Sequence, residues 1–207
     1  MQDYSDPLHN ARRLERAMNQ ALLDAENRPA LPNMEAQETD GEIALTRGLD
    51  EWVQDIVEPT GRVTEHPILD RYINQGIEWA EKSYKNRDFQ WCGAFAAWCW
   101  RDAVRREIRR KCFPSTYRLY TWAYKTERRI KDLDSARAGD IVVVGKNKRW
   151  GDHITIFERW GDDGEFFTVE GNAWGQTPQS GRREGVIRRA RDVDEITAIY
   201  RPLELDR

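Results

Sequence analysis

Cysteine and histidine are scarce in this chain of 207 residues, with three of each. The cysteines are Cys92, Cys99 and Cys112, an odd number at spacings of 7 and 13. That pattern fits neither a disulfide framework nor a CxxC metal site. At least one thiol is therefore free, and its reactivity becomes the question. Long apolar runs are missing too: no stretch approaches the roughly 18 continuous apolar residues of a membrane span, so stable membrane insertion is not expected. The N-terminus, MQDYSDPLHNARRLERAMNQ, lacks the apolar core of a signal peptide, which points to a cytoplasmic location in the producing cell. Charge of one sign is not in excess either. Lys plus Arg number 33 against 36 Asp plus Glu, a formal charge of -3, which gives no global footprint for a nucleic-acid partner.

What is present fits a soluble globular protein: 39% hydrophobic and 33% charged residues, with nine tryptophans to fill a core and line a groove. The length allows one domain with appended structure. The expected division is a helical extension and linker over 1–60 and a folded domain over 61–207. Residues 8–27 carry Leu8, Ala11, Leu14, Ala21 and Leu22 at helical spacing. Pro29 and Pro32 end that helix, and the polar stretch through Gly41 reads as a linker or extended wrap. A second helix, about 67–84, puts Ile68, Leu69, Tyr72, Ile73, Ile77 and Ala80 on one stripe.

Residues 86–106, NRDFQWCGAFAAWCWRDAVRR, turn wholly apolar from Trp91 to Trp100 and then charged. This is the pattern of a helix whose first turns are buried and whose end emerges into solvent. After Gly139 the period changes to that of strands: 140–145, 153–160, 165–170, 185–191 and 196–200. Helices followed by a run of strands predict an α+β fold with an antiparallel sheet.

Cys92 would stand at the start of the buried helix, where the positive end of the helix dipole favours the thiolate. Cys99 lies two turns deeper, and it and Cys112 read as small hydrophobes. A cysteine nucleophile needs an imidazole and a third group to orient that imidazole. His153 opens one strand; Glu170 and Asn172 close the next. A turn centred on residues 161–164 pairs positions whose numbers sum to 325, which sets His153 opposite Asn172 and puts Glu170 on the same face one diagonal away. His9 and His66 have no comparable company and read as structural or exposed.

In order and spacing, WCGAFAAWCW, AGDIVVV, GDHITIF, FTVEGN and GVIRRAR resemble the CHAP and NlpC-type papain-like peptidases and amidases, over roughly 66–201. The resemblance implies a papain-like fold over 61–207, with the nucleophile at the N-terminus of a buried helix packed on an antiparallel sheet. It implies Cys92 as nucleophile, His153 as base, and Glu170 or Asn172 as the orienting group. We expect Glu170 in that role, with Asn172 supporting the same imidazole. It also implies that Gln90 and the Cys92 N–H form the oxyanion site. Donors at a helix start can fill that role.

The implied substrate is the stem peptide of peptidoglycan, cut at a peptide or amide bond. A wall target implies delivery to the periplasm by a secretion system or a phage lysis machinery, with an immunity protein or secretion component as further partner. Two departures stand out: Asp152 separates Gly151 from His153, and the acidic calcium loop of some CHAP enzymes is missing before Cys92. No metal or other cofactor is expected, since the GDDGE run at 161–165 reads as a hairpin turn. The basic runs at 105–111 and 182–191 read as a solvated helix end and an exposed strand face. The competing readings are a papain-like protease or amidase acting on a cytosolic protein, and a binding module with a vestigial triad.

Overall fold

The computed structural model describes residues 38–58, 70–78, 90–145, 151–162 and 164–202. The expected helix at 8–27, together with His9 and His66, lies outside them. The first described element is a helix absent from the sequence reading, α1 (Asp40–Val53). Thr39 caps it and Glu42 answers with its carboxylate, the reciprocal bonding of a capping box. Gly48 lets α1 sit against Val169 of the sheet, and Ala44 and Leu45 join the core. The compact unit consequently opens at Glu38, upstream of the boundary expected at 61.

The second expected helix is a π-helical segment, Tyr72–Ile77, that stops at Glu78 in the left-handed conformation. Positions 79–84 are outside the described residues. Tyr72, Ile73 and Ile77 are buried, as their stripe predicted. The π form leaves backbone carbonyls to be satisfied, and buried Arg109 does so: its Nη1 donates to Gln75 O at 2.6 Å and also to Gly76 O. Arg109 belongs to the run 105–111 expected in solvent, so that expectation fails for this one side chain.

Next comes the apolar helix α2 (Cys92–Cys99), buried along its whole length. It is shorter than the sequence pattern suggests. The chain leaves the helix at Trp100, and the charged residues follow in a turn and in α3 (Arg106–Cys112), with α4 (Thr116–Lys125) after it. Arg47 of α1 donates to the Cys99 carbonyl at 2.9 Å, satisfying one acceptor that the end of α2 leaves open.

The sheet has six antiparallel strands in the order β1-β6-β2-β3-β4-β5. They are β1 (Arg129–Ile130), β2 (Ile141–Val144), β3 (His153–Trp160), β4 (Glu165–Thr177), β5 (Gly181–Asp192) and β6 (Ile196–Tyr200). The α+β expectation holds, and β3 and β6 keep their expected bounds. Strands β4 and β5 form a longer hairpin than the pattern indicated. Period-two alternation divides β2: Ile141 and Val143 pack with the helices, while Val142 and Val144 face a smaller cluster with Phe157, Phe166 and Ile199.

The β3–β4 register explains how the site assembles. Ile156 pairs with Val169 and Phe157 with Thr168, the alignment expected from the turn. A bulge between Phe157 and Arg159 then shifts the pairing by one nearer the turn, to Arg159 with Phe167. On the far side of that bulge from the turn, Ile156–Val169 and Phe157–Thr168 keep the expected register. His153 and Glu170 lie just beyond these pairs and meet through their side chains.

Candidate active site

Cys92 is the first residue of α2, and Trp91 before it has no side-chain cap of its own. The cap comes from the sheet: Asn172 Oδ1 accepts the Trp91 N–H at 2.8 Å. The Trp91 ring stacks on Tyr72 at 5.7 Å and donates from Nε1 to Glu58 at 3.1 Å, which anchors the entry to the helix. Gly93 follows Cys92 because a Cβ there would lie 2.0 Å from the Phe113 carbonyl oxygen. That approach brings the α3–α4 link against the helix start and makes it one lip of a cleft of about 200 Å³ over Cys92. Gln90, Asp152 and Ile154 line the other sides. A larger depression, about 380 Å³, lies on α3 among Arg106, Glu107, Arg110 and Lys111. It contains no cysteine or histidine, so the smaller cleft is the candidate site.

Cys92 lines that cleft, and its thiol faces the His153 imidazole. His153 Nε2 lies 3.1 Å from Glu170 Oε2, which leaves Nδ1 for the sulfur. Burial opposes a charge on either member of the pair. For Cys92 the adjacent His153 outweighs burial, helped by backbone N–H groups of Ile154 and Gly93, and the thiol pKa falls below its ordinary value. For His153 the thiolate and the Glu170 carboxylate outweigh burial and lift the pKa to about 10. Thiolate and imidazolium thus favour one another, and their titrations belong to the pair. Cys99 differs: burial and the nearby Glu51 carboxylate push its thiol up, so it stays a neutral core residue.

Glu170 is fully buried, with 0% of its surface exposed. Burial would raise its pKa, but hydrogen bonds from Arg191 and His153 hold it well below the usual carboxylate range. Arg191 was missed in the sequence reading, which assigned 182–191 to an exposed face. In the structure Arg191 clamps Glu170, and its neighbour in the run, Arg188, clamps Glu158 at 2.6 and 2.7 Å. One signal pointed that way. A carboxylate read as facing a core is almost never buried without a cation, and the adjacent strand is where one would be found.

The structure places Cys92 beside His153 and His153 against Glu170, with Gln90 exposed on the rim of the cleft that Cys92 lines. Asn172 is the correction. Its Oδ1 is taken by the Trp91 N–H and its Nδ2 donates to Glu184 at 2.9 Å, so its amide supports the start of α2 and not the imidazole. Among the described residues, no group of three or more His, Cys, Asp or Glu side chains could hold a metal ion. No helix among them is long and apolar enough to cross a membrane.

Residues 83–172 match the family model of the CHAP domain, a segment that runs from just before α2 to Asn172 and contains Cys92, His153 and Glu170. No curated protein and no solved structure matches the chain significantly. CHAP domains are typically hydrolases of the amidase or peptidase class. The motifs around Cys92, His153 and Glu170 resemble the same family, and the match over 83–172 supports that resemblance.

Proposed function

We propose that the protein is a cysteine-dependent peptidoglycan hydrolase of papain-like arrangement that cleaves a peptide or amide bond of the stem peptide. The observation that carries this reading is the chain of neighbours Cys92, His153 and Glu170 within the segment that matches the CHAP model, with Cys92 opening onto a cleft. In the proposed cycle the Cys92 thiolate attacks the scissile carbonyl carbon. The C–N bond then breaks as the leaving amine takes the proton of His153, which leaves a thioester. A water, deprotonated by the now neutral imidazole, attacks the thioester; the C–S bond breaks, the carboxylic acid departs, and the thiolate–imidazolium pair is restored. Each tetrahedral oxyanion would be held by the Cys92 N–H, one of the unpaired donors of a helix start, together with the Gln90 side chain. Glu170 keeps the imidazole oriented and favours its charged form.

Because this substrate lies outside the cytoplasmic membrane, the reading includes delivery by a secretion system or phage lysis machinery. A delivered antibacterial effector would be accompanied by a cognate immunity protein. Mass spectrometry of fragments released from purified peptidoglycan tests the activity: a new free lactyl carboxylate marks an amidase, and a new amino terminus within the stem marks an endopeptidase. Identical fragment patterns from wild type and Cys92→Ala would overturn the reading. Lysis on periplasmic but not cytosolic expression is expected; lysis from the cytosol would instead favour an intracellular protein substrate.

A further inference from the structure

Arg191 lies near the end of β5, beyond the CHAP segment, and its guanidinium engages two carboxylates. Nε donates to Glu170 Oε1 at 2.5 Å and Nη2 to Glu170 Oε2 at 2.8 Å. Nη1 donates to Glu195 Oε2 at 2.5 Å, on the 3-10 turn Val193–Glu195. Thr168 adds a hydroxyl bond to Glu170 Oε1 at 2.6 Å. A carboxylate offers about four acceptor sites. Here Oε1 receives Thr168 and Arg191, and Oε2 receives Arg191 and His153, so all four are occupied. The bidentate fork fixes the plane of the carboxylate, which a single point charge cannot do.

We propose that Arg191 is a positioning residue of the Cys92–His153 site: it holds Glu170 as a carboxylate in the plane that meets His153 Nε2, and its charge moderates how strongly Glu170 retains the proton on the imidazole. The inference rests on the thiolate–imidazolium reading given above. The groups that face one another are Cys92 from α2, His153 from β3, Glu170 from β4, Arg191 from β5 and Glu195 from the turn after it, with Asp152 on the cleft beside His153. From Cys92 to Glu195 their charges alternate in sign. A fully buried carboxylate with only an imidazole for a partner would either take a proton itself or grip the imidazolium so tightly that the proton is withheld from the leaving amine. Arg191 works against both outcomes. Removing it deletes a positive charge, which favours the proton-bound form of each neighbour; removing the charge of Glu170 acts in the opposite direction on His153.

The test is the pH dependence of Cys92 alkylation by iodoacetamide, read by mass on the peptide bearing Cys92, alongside kcat and KM on a soluble stem-peptide substrate. Arg191→Met is expected to raise the alkylation midpoint by about one pH unit. Arg191→Lys keeps the charge but loses the fork, so its midpoint should stay while kcat drops by about tenfold or more at unchanged KM. An unmoved midpoint in Arg191→Met, or wild-type kcat in Arg191→Lys, overturns the proposal. Should Arg191→Met not fold, Arg191→Lys alone decides by the same kcat criterion. A wild-type midpoint at the ordinary thiol value would sink the thiolate–imidazolium reading and this proposal with it. A depressed wild-type midpoint that Arg191→Met leaves unchanged sinks only the role of Arg191.

Discussion

The Asn172 side-chain oxygen accepts the Trp91 N–H at 2.8 Å, so β4 supplies the cap for the helix that begins with Cys92. Glu170, two residues earlier, meets His153 instead. The three residues Glu170, Gly171 and Asn172 thus do three jobs: Glu170 holds the imidazole, Gly171 permits the strand to approach the helix, and Asn172 holds the helix start. The strand has to turn its side chains sharply to do this. Asn172 takes φ 57, and the β4–β5 pairing is interrupted between Glu170 and Ala173. Asn is among the few residues that enter the left-handed region at modest cost.

Asn172→Ala removes the cap acceptor and places a Cβ-bearing residue without a local hydrogen bond at φ 57. The expected loss is about 2–3 kcal/mol, from a cap worth about 1 and a left-handed penalty of about 1–2. Asn172→Gly should recover the left-handed part. Denaturant unfolding checks both variants. Because the amide does not contact His153, the alkaline limb of kcat/KM should not move; a large shift would place Asn172 on the imidazole after all.

Activity should be high through neutrality and decline on the alkaline side near the His153 pKa of about 10, giving a bell-shaped profile whose acid limb reports thiolate protonation. Glu170→Gln removes a negative charge that favours imidazolium, so the alkaline limb should move to lower pH. The same sign governs stability. The folded pKa of His153 lies above its unfolded value near 6.5. Its contribution is therefore complete below about pH 6.5 and is lost as pH rises through about 10. Cys92, with its depressed pKa, contributes with the opposite sign up to its unfolded value of about 8.5. The net decline in the measured unfolding free energy of wild type should therefore fall between about pH 8.5 and 10 and be lost in His153→Ala.

Cys92→Ala should abolish hydrolysis while the fold persists, since the thiolate is chemically required and little packing volume is removed. Cys99→Ala should retain kcat and lose about 1–2 kcal/mol of stability, because Cys99 is fully buried and its removal leaves a small cavity. Turnover on a soluble substrate and thermal unfolding of the two variants provide the comparison. Loss of turnover in a folded Cys99→Ala protein would refute the assignment of roles.

Gly171→Ala tests the close approach of β4 to α2. The new Cβ would lie 2.5 Å from Phe95 Cβ and 2.6 Å from the Trp91 ring, and both neighbours are packed in the core. The expected cost is about 3 kcal/mol, at the upper end of overpacking, with a fall in kcat as the strand carrying Glu170 shifts from the helix carrying Cys92. A Gly171→Ala protein of wild-type stability would show that the strand can withdraw freely.

Much of the site could be read from local pattern. The alternation of HITIFERW and FFTVE, with a glycine-flanked turn between them, determined the register that brings His153 and Glu170 together, because one buried face leaves a strand pair little freedom to slip. The wholly apolar run from Trp91 made the helix, and its beginning set Cys92 at the helix start. The bulge beside Glu158 was not legible, but it lies on the turn side of the Ile156–Val169 pair and leaves that pair in the expected register.

What the tertiary structure alone decided is which partner each long polar side chain meets. Alternation places Asn172 near His153, but the left-handed turn at that residue sends its amide to Trp91 and Glu184. Charge pattern makes 182–191 an exposed face, but buried Glu170 is clamped by Arg191 and half-buried Glu158 by Arg188. Likewise α1 follows a polar stretch, and only its packing on α2, β4 and β5 draws it into the domain. Periodicity is a property of neighbours along the chain and survives in the sequence. The pairing of a buried charge depends on strands and helices far apart in sequence, so it is settled only when they meet.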